Sequence, residues 1–137
     1  MRVVIDTNVL VSGLISPRGA PAQIVRLVSS AELIVCRDER ILGEYESVLG
    51  RPEFPFFKTS AVAALLEQIR KRGETVPARH LALTLPHASD LPFLEVAVAG
   101  RVQYLVTGNR RHFPRKPPGG LRIVSPAEFL ALCRERN

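Results

Sequence analysis

The stretch Arg2-Val3-Val4-Ile5-Asp6-Thr7-Asn8 decides the fold class of this chain. Its first four residues are a short, β-branched run of the kind that forms strands buried inside a sheet. A polar triplet at positions 6–8 ends this run, and a first helix is predicted over about Thr7–Ile15. A buried strand that leads directly into a helix is typical of a parallel α/β sheet.

The same alternation of strands and helices continues along the rest of the chain. Further helices are predicted over about Pro21–Ser30, Asp38–Leu49, residues 59–72, Asp90–Ala99 and the segment from Pro126 onward. Further strands are predicted over Leu33–Cys36, Glu74–Pro77, Gln103–Val106 and Arg122–Val124, with loops at His80–Ser89 and Arg110–Gly120. Such alternation indicates a parallel sheet that is covered by helices on both faces. We find no repeat and no long linker, and therefore expect one domain over residues 1–137.

Length and composition are those of a globular domain. The chain has 137 residues, of which 46% are hydrophobic and 23% are charged. No apolar run approaches the ~20 residues that span a bilayer, and Asp6 stands where a signal peptide would continue its apolar region. The two cysteines, Cys36 and Cys133, form neither a disulfide framework nor a zinc motif. We therefore expect a cytoplasmic protein with no membrane partner.

The charge balance favours a polyanionic partner. Nineteen basic residues against thirteen acidic ones give a net charge of +6. Nucleic acid is the first expectation for such a chain, and an anionic membrane surface is the second. A basic run follows the strand predicted at Gln103–Val106 and consists of Arg110, Arg111, His112, Arg115 and Lys116. This run is either a solvated loop or a rim that contacts phosphates.

Two aspartates stand where chemistry collects in parallel sheets. Asp6 follows the first strand directly, and ligands bind outside the carboxyl ends of such strands. The alternative is a helix N-cap, although Thr7 and Asn8 can satisfy the same backbone amides. Asp90 has the same two interpretations, since Ser89 or Asp90 could cap the following helix.

A third acid is less clearly marked by its position. Glu44 and Glu46 lie just off opposite edges of the apolar face of their helix, so periodicity does not choose between them. The three histidines share no metal-ligand spacing, and no catalytic triad or phosphate-binding glycine loop is present. An acidic pocket beside a basic rim suits a metal-dependent nuclease, in which metal ions bridge carboxylates and a phosphate.

Four stretches, in order, are similar to the motifs of the PIN-domain ribonucleases, and the resemblance covers nearly the whole chain. It extends to the toxins of toxin–antitoxin systems, the VapC-like PIN family. The stretches are Val4–Leu10 with its Asp-Thr-Asn turn, Glu44 ahead of Val48–Pro52, Asp90–Ala97, and Tyr104–Asn109 followed by His112–Pro114.

The resemblance implies a three-layer α/β/α fold with a five-stranded parallel sheet, often as a homodimer or higher homo-oligomer. It implies cleavage of single-stranded or structured RNA that depends on Mg²⁺ or Mn²⁺, and an antitoxin protein that blocks the site. It favours Glu44 over Glu46. The implied metal ligands are Asp6, Glu44 and Asp90, with Asn109 as a fourth catalytic residue, Thr7, Asn8 and Thr107 as orienting residues, and Arg110, Arg111, Arg115 and Lys116 as RNA contacts.

The chain departs from the family pattern at Asn109, where many PIN nucleases carry a fourth acid. Asn offers a neutral oxygen, so the site holds three formal negative charges and should bind a second divalent ion more weakly. The second hypothesis is therefore a catalytically weak or inactive PIN module that binds RNA or a protein partner. A haloacid-dehalogenase-like phosphatase fits poorly, because Asn8 stands where that family has a second Asp.

Overall fold

A computed structural model describes residues 1–51 and 59–136 of the chain, and these residues form a five-stranded parallel sheet with helices on both faces. The strands are β1 (Arg2–Ile5), β2 (Ile34–Arg37), β3 (Glu74–Thr75), β4 (Tyr104–Val106) and β5 (Arg122–Val124). The α-helices are α1 (Thr7–Ile15), α2 (Ala20–Ser29), α3 (Glu39–Leu49), α4 (Thr59–Arg72), α5 (Leu91–Ala99) and α6 (Pro126–Arg136). The three-layer α/β/α architecture predicted from the sequence is confirmed.

The order of the strands is β3-β2-β1-β4-β5, and all neighbouring pairs are parallel. The chain moves outward from β1 to β2 and β3, and then returns to the other side of β1 to form β4 and β5. This reversal creates a switch point between β1 and β4, which is where open α/β sheets bind their ligands. Ile5 is in register with Val106, and Val106 with Val124, so three carboxyl ends lie side by side.

The central strand is buried on both faces, as its apolar run predicts. Val3, Val4 and Ile5 are fully buried in the core. The hydroxyl of Tyr45 on α3 donates a hydrogen bond to the carbonyl oxygen of Ile5, which fixes α3 against the carboxyl end of β1. This contact brings the middle of α3 to the switch point.

The predicted elements differ from the observed ones mainly at their ends. β2 extends to Arg37, because that residue pairs with Thr75 of β3. β3 stops before Pro77, which has no N–H for the sheet ladder. Short 3₁₀ helices form at Ala88–Asp90 and Arg110–His112, within or next to the predicted loops. Pro52, the last residue of the motif Val48–Pro52, lies outside the described residues.

The final helix begins as its sequence indicates. The backbone amide of Glu128 donates to the hydroxyl of Ser125 at 3.1 Å, and the Glu128 carboxylate accepts from the amide of Ser125 at 3.2 Å. This reciprocal pair is a capping box, a pattern that the sequence Ser125-Pro126-Ala127-Glu128 encodes, with Pro126 as the first helical residue. None of the helices in the described ranges is both long and apolar enough to cross a membrane.

Candidate functional site

Asp6 and Thr107 meet at the switch point of the sheet. Each follows the last residue of its strand, and the amide of Asp6 donates to the carbonyl oxygen of Val106 at 2.9 Å. The Thr107 hydroxyl donates to Oδ2 of Asp6 at 2.7 Å and accepts from the amide of Asn109 at 3.0 Å. Asp6 is only 4% exposed and Thr107 only 1%. The turn at positions 107–109 thus places the hydroxyl of Thr107 against the carboxylate of Asp6, which follows the neighbouring strand.

Helix capping does not account for the burial of Asp6. The residue occupies the N-cap position of α1, but its side chain makes no capping hydrogen bond. Burying an ionised carboxylate costs free energy unless donors or a cation compensate it. The orientation of Asp6 toward Thr107 therefore suits a ligand-binding group better than a cap.

The structure separates Glu44 from Glu46, which periodicity could not do. The half-buried Glu44 accepts a hydrogen bond from the hydroxyl of Thr7, the residue after Asp6. Glu46 is exposed and pairs with Arg70 of α4 at 3.2 Å. Only Glu44 therefore faces the carboxyl end of β1.

Asp90 lies at the start of α5 and also makes no capping hydrogen bond. Its Oδ2 atom is buried and has no well-aligned hydrogen bond among the described residues, although Nδ1 of His112 lies 3.2 Å away. The ring of His87 stands 4.2 Å from that of His112. The contact between His112 and Asp90 was not predicted from the sequence, because it joins distant segments and follows no spacing rule.

The negative charges of Glu44 and Asp90 act on Asp6. Burial raises the pKa of Asp6 above its ordinary value, the negative charges of Asp90 and Glu44 raise it further, and the Thr107 hydrogen bond opposes the rise. Burial, with the charges of Asp6 and Glu44, also holds the pKa of Tyr45 well above its usual range. The charges of Glu44 and Asp90 therefore act on Asp6 at the switch point, and we call these three residues the acidic cluster.

The chemistry of this cluster fits a divalent cation. Carboxylate oxygens are the preferred ligands of Mg²⁺, and a cation would offset the charge of Asp6 and satisfy the unpaired oxygen of Asp90. Within residues 1–51 and 59–136, however, no three His, Cys, Asp or Glu side chains have the arrangement of an ion site. The carboxylates of Asp6 and Glu44 instead face separate threonine hydroxyls. The ligand set Asp6, Glu44 and Asp90 thus stays a prediction.

The residues expected to orient the site differ in their positions. Thr7 and Thr107 are buried and donate directly to the two carboxylates. Asn8 is exposed, and its side chain has no hydrogen bond to another described residue. Asn109 is half-buried beside Thr107, with its backbone amide engaged.

The predicted RNA contacts lie on the surface next to this cluster. Arg110, Arg111, Arg115 and Lys116 are all exposed. The three arginines help to line an open cavity of about 750 Å³ with Phe113 and Pro114. The basic loop therefore borders the acidic edge, as a phosphate-binding rim requires.

A buried acid behind the site was missed by the sequence analysis. Glu95 of α5 is 2% exposed and accepts hydrogen bonds from Arg40 of α3 and from the amide of Leu81, each at 2.7 Å. His80 places Nδ1 3.2 Å from the same carboxylate. The signal in the sequence was a charged residue inside the apolar run Leu91–Ala99, which indicates a buried acid. This ion pair joins α3, which carries Glu44, to the helix that follows Asp90.

One comparison with known proteins identifies a family. A family model described as a PIN domain matches residues 2–111. The matched segment contains Asp6, Glu44, Asp90 and Asn109 and ends before β5 and α6. Searches of curated proteins and of solved structures gave no match.

Proposed function

The chain belongs to the PIN-domain family, and from this premise we propose that it is a metal-dependent endoribonuclease. PIN domains are in general nucleases, enzymes that hydrolyse phosphodiester bonds. The observation that carries the proposal is the buried carboxylate of Asp6, which Thr107 orients and which Glu44 and Asp90 repel. A buried acidic cluster of this kind is a functional-site candidate in an otherwise apolar sheet.

Each residue of the acidic cluster has a proposed task. Asp6, Glu44 and Asp90 hold Mg²⁺ or Mn²⁺, and a bound ion supplies an activated water and positive charge for the phosphate. Thr107 keeps Asp6 oriented through its hydroxyl, and Thr7 does the same for Glu44. These buried donors hold the carboxylates in place before the substrate arrives.

Asn109 and the basic loop have proposed tasks at the rim. The side chain of Asn109 offers a neutral oxygen and an N–H donor, which suit the positioning of a water molecule. The exposed side chains of Arg110, Arg111, Arg115 and Lys116 bind the sugar–phosphate backbone of RNA. Their position beside Asn109 supports a path for RNA across the carboxyl ends of β1 and β4.

The proposal also includes a biological role and an oligomeric state. The motif resemblance to VapC-like toxins supports a toxin role, with a cognate antitoxin that covers the acidic cluster. A homodimer or higher homo-oligomer is proposed on the same basis. Asn109 favours a second candidate function, a PIN module that binds RNA or a protein without cleaving RNA.

Incubation with a mixed RNA pool tests the proposal. We expect cleavage in Mn²⁺ or Mg²⁺, none in the presence of a chelator, and none from Asp6→Asn. The exposed-acid variant Glu39→Gln is the matched control for loss of one carboxylate and should cleave normally. Cleavage that survives Asp6→Asn would contradict the role assigned to Asp6, and RNA binding without cleavage would establish the second candidate.

A further inference from the structure

A cavity lined by arginines lies behind the basic loop, between that loop, β5 and the first turn of α6. Its volume is about 140 Å³, and Arg110, Arg115 and Arg122 line it together with one acid, Glu128. Three guanidinium groups against one carboxylate leave an excess of two positive charges. Because a water molecule occupies ~30 Å³ in the liquid, the space holds a small polyatomic anion with some of its hydration.

Glu128 offsets only one of these three positive charges, and it offers Arg110 no close hydrogen-bond acceptor. Its Oε1 atom is committed to the amide of Ser125 in the capping box at 3.2 Å. Its Oε2 atom lies 3.8 Å from Nη1 of Arg110, which is beyond hydrogen-bond distance. The Ser125 hydrogen bonds and the nearby charges of Arg110 and Arg122 hold the pKa of Glu128 below its ordinary value. The acid remains tied to the helix and leaves the guanidinium groups available.

The other two arginines are also available to an anion. The guanidinium of Arg122 lies 5.8 Å from the centroid of the Tyr104 ring, a cation–π arrangement that leaves its N–H groups free to donate. Arg115 has no hydrogen bond or ion pair to any described residue. Guanidinium groups match phosphate oxygens with paired N–H donors, which makes phosphate the chemistry that this cavity fits best.

The cavity is one strand away from the acidic cluster. Val124 lines it, and the carbonyl oxygen of Val124 accepts from the amide of Thr107 at 2.9 Å. Arg110, at its rim, follows Asn109 directly. A nucleic-acid strand that crosses Asp6 and Thr107 therefore reaches this cavity along the same edge of the sheet.

We propose that the cavity between Arg110, Arg115, Arg122 and Glu128 is a subsite for one backbone phosphate of RNA, flanking the phosphate that is cleaved. The inference rests on the proposed function and adds a residue to it. Arg122 lies beyond the segment matched by the family model, in β5. The substrate must therefore extend past the acidic cluster toward the β5 edge, where Arg122 binds it through charge and not through base identity.

Binding of a short fluorescent single-stranded RNA, measured in chelator so that it stays intact, tests the subsite. We expect Arg122→Gln to weaken binding about three- to tenfold and to lower the slope of log affinity against log salt by ~0.7. Arg101→Gln removes the same charge from an exposed position next to the amino end of β4 and should leave the slope unchanged. Thermal melting checks that both variants are folded, and Arg115→Gln is a second test of the same cavity.

A set of RNAs in which each phosphate in turn is replaced by a neutral methylphosphonate locates the contact. At one linkage, the replacement should weaken binding to the wild type but not further weaken binding to Arg122→Gln. Additive losses at every linkage, or wild-type binding by Arg122→Gln, would overturn the subsite. If Asp6→Asn still abolishes cleavage in that case, only the subsite fails. If the protein neither binds nor cleaves RNA, the proposed function fails with it.

Discussion

The hydroxyl of Thr107 donates a 2.7 Å hydrogen bond to Oδ2 of Asp6, although 101 residues separate the two in sequence. The bond joins the carboxyl ends of β1 and β4, which are neighbours only because the chain reverses its direction across the sheet. It is also the one described side-chain hydrogen bond that offsets the burial of the Asp6 charge. The pairing of β1 with β4 therefore brings Asp6 its hydroxyl donor.

Replacing Thr107 with Val should destabilise the protein in chelator by about 1–3 kcal/mol, because a buried carboxylate oxygen loses its donor. Thr107→Ser keeps the hydroxyl and should retain most of the stability. Urea unfolding of the two variants measures the difference. Equal free energies of unfolding for Val and Ser would contradict the role assigned to this hydrogen bond.

Asp6→Asn should make the metal-free protein more stable near neutral pH, by an amount on the order of 1 kcal/mol. Burial and the charges of Asp90 and Glu44 disfavour the ionised form of Asp6, and Asn carries no charge. Millimolar Mg²⁺ or Mn²⁺ should raise the melting temperature of the wild type more than that of the variant. Melting curves that metal ions leave unchanged would rule out the metal site.

Glu44→Gln and Glu46→Gln form a matched pair on one helix. We expect Glu44→Gln to lower RNA cleavage by more than about a hundredfold, because it removes a carboxylate of the acidic cluster. Glu46→Gln changes an exposed residue that pairs with Arg70, and cleavage should be unaffected. Rates measured at saturating Mn²⁺ compare them. Similar losses in both variants would remove Glu44 from the site.

Asn109→Asp separates the nuclease from the binding module, because the two residues are nearly isosteric and differ in charge. In a nuclease limited by weak binding of a second ion, the variant should need less Mn²⁺ for half-maximal cleavage. In a module whose defect is Asn109, the variant should cleave where the wild type does not. A wild type that cleaves faster than the variant at every Mn²⁺ concentration would instead assign Asn109 to water positioning.

The stability contributed by Glu95 should depend on pH. Burial raises the pKa of this acid, but hydrogen bonds from Arg40 and the Leu81 amide, with the charges of Arg40 and His80, outweigh burial and hold the pKa below 4.5. An acid with a lowered pKa in the folded state stabilises the protein above its ordinary pKa, and this contribution is lost as the pH falls through the lowered value.

The difference in free energy of unfolding between wild type and Glu95→Gln should thus be large at pH 7 and shrink below about pH 4. Urea titrations across this range measure it. Glu39→Gln, an exposed acid on the helix of Arg40, controls for the loss of one carboxylate. A difference that stays constant with pH would contradict the account of Glu95.

Local patterns were sufficient to predict most of the fold. β1, α1 and β5 have the predicted bounds, because an apolar run in each case gives way abruptly to polar residues or to a cap. The sequence also predicted that Asp6 follows β1 directly, and the strand predicted to end at Val106 places Thr107 just after β4. Such patterns predict the secondary structure of the backbone and the face of a helix or strand on which each residue lies.

Contacts between distant segments could not be predicted in the same way. Periodicity placed Glu44 and Glu46 symmetrically, and only Thr7 and Arg70, which belong to other elements, distinguish them. His112 meets Asp90 through the packing of a loop on a helix, which follows no sequence spacing. These partners are set by tertiary packing, and a single sequence does not encode them as a local pattern.

The strand order has a consequence for the chain during its synthesis. β1 is made first and can pair with β2 early, but its other side stays open until β4 has been made. Contacts between segments so far apart form late, since a long loop must close first. Until Thr107 has been synthesised, Asp6 lacks the hydroxyl that donates to its Oδ2 atom in the folded protein. If the proposed function holds, a growing chain attached to the ribosome, and surrounded by its RNA, therefore carries no assembled nuclease site until β4 has been synthesised.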